Sequence, residues 1–474
     1  MSLLSNLNQL GEKKGKLRAM TTASDKIATF ITSFQHTTLT SSHLHLAARA
    51  LFDTLVCALA GAREPAADIV LKYARGQTAS ASGTVWATGE QLPIELAALV
   101  NGTMGHALDY DDVSSPLRGH PSVAIFPAVL ALGESIDASG HNVLEAYAVG
   151  FEVCLRMARA MVDDHYAKGW HSTSSIASLG AVAACARLLK LPHAQCVNAL
   201  GIAVAQIAGS RQNFGTMSKP FQAGHANALA LRAIGLARLG FDASAQALDG
   251  AQGYSALYAD GADLSSQLDQ LGCLPLELDS SGIEVKKYPL CYATHRALDG
   301  LMDLLIDFPS LSLSDIDSVE VITNFRATVP LIYDTPQTGL EGKFSMQYAV
   351  TAAILDKKIG LNSFDDDAVQ RPEVQAFMSQ VKVREGEPPM FPRWAELRVV
   401  LRNARVLTKR IDHLRGSKER PLSDAELVAK GVDCCAFSRS PIDATILAKA
   451  CFDLPQQKLS TLLSALAGGV QDSG

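Results

Sequence analysis

At 474 residues the chain is longer than a single hydrophobic core usually serves, so two domains are the default expectation. Apolar residues make up 48% and charged residues 19%, which excludes wholesale disorder. A formal net charge of −6 over this length supplies no polybasic surface, so neither nucleic acid nor an anionic membrane is expected as a partner.

The first twenty residues hold Lys13, Lys14, Lys16 and Arg18 but no apolar h-region, so they do not read as a secretory signal. Residues 1–22 are expected to form a flexible tail before a helix capped near Thr22 or Ser24. The segment Gly11–Lys16 is one residue short of a phosphate loop and lacks its Ser/Thr. From about residue 23 to 270 the apolar spacing is helical almost throughout. Leu46, Leu51, Leu55, Val56 and Leu59 predict a helix over 43–62 that stops at Gly61. Further helices are predicted over 94–109, 123–135, 143–161, 173–190, 194–208, 223–240 and 243–249. Abundant Ala favours both helix formation and close packing there. No apolar run is read as reaching the ~18 residues of a membrane-spanning helix.

Near residue 280 the texture changes. Asp317–Asn324, Ala395–Leu401 and Val406–Ile411 alternate like half-buried strands, with Asn403-Ala404 as a turn between the last two. Helices are predicted over 291–307, 343–356 and 372–382. Residues 275–415 therefore read as a smaller α+β unit. Helices over 423–435, 440–452 and 456–467 then return to the helical domain. The expected fold class is mainly α: a large all-α helical domain (23–274 and 416–474) plus a smaller α+β lid domain (275–415). The nine cysteines are odd in number, form no C-x-x-C pair and lie mostly among Ala, Leu and Val. That usage fits a reducing cytosol rather than a disulfide framework, and the expected location is cytoplasmic.

Four short segments carry the chemistry. His106-Ala-Leu-Asp109-Tyr110-Asp111-Asp112, with His120-Pro-Ser122 eight residues on, gathers two imidazoles, three carboxylates and a phenol between oily helices. The bland alternative is a helix end with charges in its loop. The second segment, Lys168-Gly-Trp-His171-Ser172-Thr173-Ser174, sets a His before a Ser/Thr run able to cap a helix and meet a carboxylate. A structural His in a capped turn is the alternative. The third, Arg211 to Pro220, holds Thr216 and pins Lys219 before a proline, where it can grip a carboxylate or stand solvated. The fourth, Lys286-Lys287-Tyr288-Pro-Leu-Cys291-Tyr292-Ala-Thr-His295, lies at the domain junction, a preferred place for ligands. Cys291 has no activating base beside it in sequence. Asp109, Asp112, His106 and His120 are candidate metal ligands, yet no H-E-x-x-H or facial-triad spacing appears, so no metal is expected. No G-x-S-x-G elbow is present either.

Taken in order, HALDYDD, RGHPS (118–122), GWHSTS, NFGTMSKP and KKYPLCYATH resemble the MmgE/PrpD family, over residues 24 to 465. That family includes 2-methylcitrate dehydratase, cis-aconitate decarboxylase and iminodisuccinate epimerase. The resemblance implies a homodimer with a helical domain and an α+β lid. It also implies a small di- or tricarboxylate substrate and neither metal nor organic cofactor. It puts Asp109, His120, His171, Lys219 and Lys286 on the active-site wall as catalytic residues. His106, Tyr110, Ser172, Thr173, Thr216, Lys287, Tyr292 and His295 are the expected substrate-binding residues around them. By the resemblance Val113 stands where the dehydratase and mammalian decarboxylase branches have Thr, Gln222 replaces a His common after the Lys-Pro pair, and Ala327 falls where the decarboxylase has an active-site Tyr, with Tyr333 the nearest tyrosine. RGHPS and NFGTMSKP are more similar to the epimerase. The expected chemistry is proton transfer at a carbon beside a carboxylate, with Lys219 and Lys286 stabilising the developing charge. His171 or Asp109 is the expected base, and His120 the acid, with Tyr110 as its helper. A dehydratase-type lyase is expected first, an epimerase or decarboxylase next; a carboxylate-binding homodimer without turnover is the non-enzymatic alternative.

Overall fold

The computed structural model describes residues 21–76 and 82–467; residues 1–20 of the expected tail lie outside them. The fold is mainly α. Helix α1 (Ala23–Ser33) starts on a capping box in which the Thr22 hydroxyl accepts from the Asp25 N–H and Asp25 accepts from the Thr22 N–H. Helix α2 (Ser41–Gly61) follows, then α3 (Pro65–Arg75), which begins on a proline. A two-stranded ribbon, β1 (Gly83–Thr84) and β2 (Gln91–Leu92), leads into α4 (Ile94–Ala107). Then come α5 (Pro121–Ser135), α6 (Gly140–Ala167), α7 (Ala177–Leu188), α8 (His193–Val204) and α9 (Ser218–Arg238).

One apolar core runs through all of these helices and takes in the C-terminal helices α13 (Asp424–Ser438), α14 (Ala444–Phe452) and α15 (Leu459–Ala467) through Leu427, Leu447 and Leu462. A second core lies under a four-stranded sheet, β3 (Ile316–Thr323), β4 (Val381–Glu385), β5 (Ala395–Leu401) and β6 (Val406–Ile411), in the order β4-β3-β5-β6. The β3–β4 pair is parallel, so its connection crosses over through α11 (Met346–Asp356) and α12 (Pro372–Met378); the other pairs are antiparallel. Helix α10 (His295–Asp307) packs on β5 and β6 and supplies Leu298 and Leu301 to this core. The units are sewn together by short backbone pairings: Val113 with Glu284 (2.8 and 3.1 Å) and the Val285 N–H to the Gly416 carbonyl (2.9 Å).

Three sequence expectations are corrected. Residues 243–249 form turns, not a helix, because the Tyr254 and Ser255 N–H groups claim the Ala247 and Leu248 carbonyls. The helix read over 372–382 ends at Met378, and Val381 onward joins β3 as a strand; five alternating residues after a helix are too short to announce themselves. Helix α2 is, after all, long and apolar enough to cross a membrane (21 residues, mean hydropathy 1.4). It packs inside the helical core instead, with 78% of its most apolar stretch buried, and carries Asp53 ion-paired to Lys430 of α13.

The pair α4–α9 positions the site. A Cβ on Gly102 would stand 2.9 Å from the Gly224 Cα, and one on Gly224 would stand 2.3 Å from the Leu99 carbonyl oxygen. The two helices therefore touch backbone to backbone, which brings His106, near the end of α4, against Lys219, at the start of α9. Gly224→Ala is expected to destabilise the fold by about 1–3 kcal/mol, as overpacking does. Urea unfolding measures it, and an unchanged midpoint would mean the helices are not held at this distance.

Candidate active site

Helix α4 ends at Ala107, and Asp109 takes a left-handed backbone (φ 52°), which Asp tolerates better than most residues. The negative end of the helix is met by side chains from far along the chain. Lys343 Nζ donates to the Leu108 carbonyl (2.6 Å), Lys286 Nζ to that of Asp109 (2.7 Å) and Lys430 Nζ to that of Tyr110 (2.8 Å). Free carbonyls and dipole both favour cations there.

The Asp109 carboxylate turns inward. Its Oδ1 accepts from Lys219 Nζ (2.7 Å), lies 3.1 Å from Lys286 Nζ and 3.3 Å from His120 Nε2. Burial pushes this carboxyl up, but the two ammoniums together outweigh it and hold it well below the usual carboxylate range. Lys219 Nζ also donates to His106 Nε2 (2.9 Å). Hence His106 carries its proton on Nδ1 and donates it to Asp111 (3.0 Å). Burial, against the pull of Asp111 and helped by Lys219, takes the His106 ring down to about 4, so it is neutral. Asp111 would be raised by burial, yet the imidazoles of His106 and His120 keep it ionised. His120 Nδ1 lies 3.1 Å from Asp111 Oδ2 but off the direction of a hydrogen bond. Asp112 belongs to another network: burial, then the charge of Asp53, drives it well up, and the Ser122 hydroxyl donates to it.

His171 faces this group from the start of a one-turn helix, Ser172–Ser175. Its Nδ1–H donates to Gln222 Oε1 (2.7 Å), an amide oriented by its own donation to the Ser210 carbonyl (3.1 Å). Nε2 therefore carries the lone pair. Burial, then the charge of Lys219, holds the ring well below the usual histidine value, so it is neutral and able to take up a proton.

Asp109, His120, His171, Lys219 and Lys286, read from four separate segments, all line one cavity, with Tyr292 and Cys291 on its wall. Burial pushes the Cys291 thiol up to about 11, which leaves it a poor nucleophile. Other expected substrate contacts lie elsewhere. Tyr110 donates its hydroxyl to the Lys287 carbonyl (3.2 Å) and packs its ring under Lys430; burial raises it, so it is no ready acid. Lys287, half-buried, takes part through that carbonyl and is not on the cavity wall. Thr216 is exposed and donates to the Asn213 carbonyl (2.9 Å). His295 is buried behind the wall, 3.3 Å from the Leu290 carbonyl. His106 forms a second layer that fixes Lys219. Ser172 and Thr173 are buried, and Thr173 Oγ1 accepts the His120 N–H (3.1 Å). Tyr333 packs its ring against Gly215 and behind the apolar lining residues Phe214, Cys291 and Phe344, without lining the cavity itself. Sequence reasoning missed Lys343, Lys430 and three arginines on the wall, Arg118, Arg326 and Arg393.

One ligand atom from each of His106, Asp109, Asp111 and His120 falls within 4.8 Å of the others, as in a metal centre. Here Lys219 Nζ already sits between His106 Nε2 and Asp109 Oδ1 and engages both. The donor set is thus committed to an ammonium, and an ion would have to displace it.

The cleft belongs to a chain with clear relatives. Residues 25–267 match the MmgE/PrpD N-terminal domain and residues 288–454 the MmgE/PrpD C-terminal domain. The chain is 30% identical over 401 residues to the cis-aconitate decarboxylase of Mus musculus, which covers 82% of each sequence. It is 29% identical over 418 residues to the Homo sapiens cis-aconitate decarboxylase (86% of each). With that of Aspergillus terreus it shares 26% over 357 residues (71% of this chain, 73% of the relative).

Lys343 gives a pH-dependent prediction. Burial, only partly opposed by Glu64 and Asp109, brings its ammonium down to about 8 from an ordinary 10.5. Between those values the unfolded chain binds more protons, so stability rises with pH across that window. The stability difference between wild type and Lys343→Met should shift in favour of wild type from pH 8 to 10 in urea titrations; a difference that is flat with pH would contradict the burial of this charge.

Proposed function

Since the chain belongs to the MmgE/PrpD family, we propose that it is a lyase acting on a small tricarboxylate by moving a proton at a carbon next to a carboxylate. The observation that carries this is a neutral His171, its lone pair on Nε2, lining the same cavity as two lysines that share the Asp109 carboxylate. A proton beside a carboxylate is very weakly acidic, so its removal needs a base together with fixed positive charge where the aci-carboxylate develops. The Asp109 carboxylate is already taken by the two ammoniums, whereas His171 keeps its Nε2 lone pair, which makes His171 the base. Asp109 instead anchors the lysines.

In the dehydratase-type reaction His171 Nε2 takes the α-proton, and the electron pair moves into the carboxylate held by Lys219 and Lys286. The pair then returns to form the C=C bond as the β-hydroxyl leaves with a proton from His120, giving an alkene and water. Acid–base assistance accounts for roughly 10²–10⁴-fold. The lysines supply much of the remainder, since a fixed charge in a dry cleft acts far more strongly than in water. Decarboxylation is the second reading, favoured by relatives named as cis-aconitate decarboxylases. There the C–C bond to the leaving carboxylate supplies the electron pair, and a protonated group returns a proton to carbon.

Incubation in D₂O with citrate, methylcitrate, aconitate, malate and aminosuccinate, followed by NMR, separates the outcomes. Water loss, CO₂ loss or simple α-deuteration each has its own spectrum; no change with any acid would sink the proposal. His171→Gln should abolish turnover with an unchanged circular dichroism spectrum. Lys219→Ala should lose at least ~10²-fold in kcat/KM, and a near-wild-type rate would remove it from the site. Because the donor set is already filled by an ammonium, prolonged chelator treatment should leave the rate unaltered; loss of activity restored by a divalent ion would overturn the metal-free mechanism.

A further inference from the structure

Lys219, Lys286 and His171 are almost wholly buried, whereas Arg118 and Arg393 on the same wall are half-buried and Arg326 is exposed. The cavity thus has a deep end of lysines and a shallower end of arginines. Among the described residues five cationic ones line it, against one carboxylate, Asp109, which the lysines already share. Arg118 has a partner in Asp163, whose carboxylate is largely exposed. Arg393 has none: among the described residues no carboxylate lies within ion-pair distance of it. Its Nε is sealed from solvent and makes no hydrogen bond. Among the described residues its guanidinium donates only to Met390 Sδ, from Nη2 at 3.9 Å, and it packs on the Phe391 ring at 5.1 Å. Burial, followed by the charges of Arg296 and Arg118, holds it below the ordinary arginine value. A buried donor without an acceptor and a cation crowded by cations are both costly, and an anion relieves both.

We propose that Arg393, seconded by Arg118, forms a distal carboxylate subsite that grips a carboxylate of the substrate remote from the reacting carbon. The planar fork of a guanidinium matches a carboxylate in two parallel hydrogen bonds, whereas a lysine offers a point charge. The division of labour follows from that chemistry. The lysines at the deep end meet the carboxylate beside the carbon that is deprotonated; the arginines read whether a further one is present. Arg393 stands on the segment leading into β5, in the sheet domain, while Arg118 stands in the loop before α5, in the helical domain. A substrate held between them bridges the two domains. This inference rests on the carboxylate-lyase reading of the deep end and adds the group that selects among carboxylates.

The test uses propane-1,2,3-tricarboxylate, which has neither a leaving hydroxyl nor a double bond, and glutarate, which lacks one carboxylate. Both are titrated calorimetrically into wild-type protein, Arg393→Ala, Arg393→Lys and His171→Gln. Wild type should prefer the tricarboxylate. Arg393→Ala should weaken it by at least about 30-fold, as loss of a buried charge partner does, and leave glutarate nearly unaffected. Arg393→Lys should recover only part of the loss, and it keeps the test open should the alanine variant fail to fold. His171→Gln, which removes the base, should keep the preference for the tricarboxylate over glutarate. In turnover the arginine variants should raise KM more than they lower kcat. Equal weakening of both acids, or of neither, in an Arg393 variant would overturn the distal subsite while leaving the deep-end chemistry standing. Wild-type protein that binds neither acid would overturn the carboxylate-lyase reading itself, and the subsite with it.

Discussion

The end of α4 depends on imported positive charge. Three successive carbonyls at and just past the end of the helix, those of Leu108, Asp109 and Tyr110, belong to buried residues, where water cannot satisfy them. Each is answered by one lysine: Lys343, Lys286 and Lys430 in turn. These lysines come from the loop before α11, the domain junction and α13, so closing this one helix end requires the sheet domain and the C-terminal helices to be in place. Leaving a buried carbonyl unsatisfied or a buried ammonium unpaired forfeits the hydration of that group, which outweighs the net gain of a hydrogen bond that is made. Assembly of the chain and assembly of the cleft are for that reason the same event, and the site is positioned by the groups that hold the domains together.

The same arrangement explains how so many ionisable groups stay buried. Asp109 is shared by Lys219 and Lys286, Asp111 by His106 and His120, and Asp53 by Lys430. Asp109 and Asp53 are satisfied by lysines from distant segments and Asp111 by imidazoles of its own segment, which suits a specific fold more than a merely stable one, because removing any partner leaves a charge uncompensated. The close approach of α4 and α9 through Gly102 and Gly224 is the mechanical part of this device, since Lys219 must reach both His106 and Asp109.

Much of the helical layout could be read from the sequence, because Leu and Ala recur at helical spacing and Gly61 ends α2 where the apolar pattern ends. The strands Ala395–Leu401 and Val406–Ile411 were legible through a partial alternation of apolar and polar residues; Val381–Glu385, five residues beside a helix, was not. The reactive segments stood out because His, Asp and Lys are conspicuous in an Ala-rich background. Which of their residues face the cleft was less visible. Tyr110 and Lys287 are the immediate neighbours of Asp109 and Lys286, yet in extended or turning backbone adjacent side chains leave on opposite sides. Lys343, Lys430 and Arg393 carry no local signature at all. A lone cation in a loop or an amphipathic helix reads as solvated, and only the packed structure shows what buries it.

Charge also connects recognition to reactivity. Burial, and after it the charge of Lys219, holds His171 down, which keeps the ring neutral and its Nε2 lone pair available. That same field weakens His171 as a base, so by itself it works against proton abstraction. A substrate carboxylate beside Lys219 offsets the ammonium's charge as seen from the imidazole and raises the basicity of the ring. The substrate has to bring that carboxylate, because among the described residues the cavity's own, Asp109, is already committed to the lysines, and Asp111 behind it to the imidazoles. The cationic wall thus attracts a polyanion and stabilises the aci-carboxylate, and its partial neutralisation by that polyanion strengthens the base that must act next.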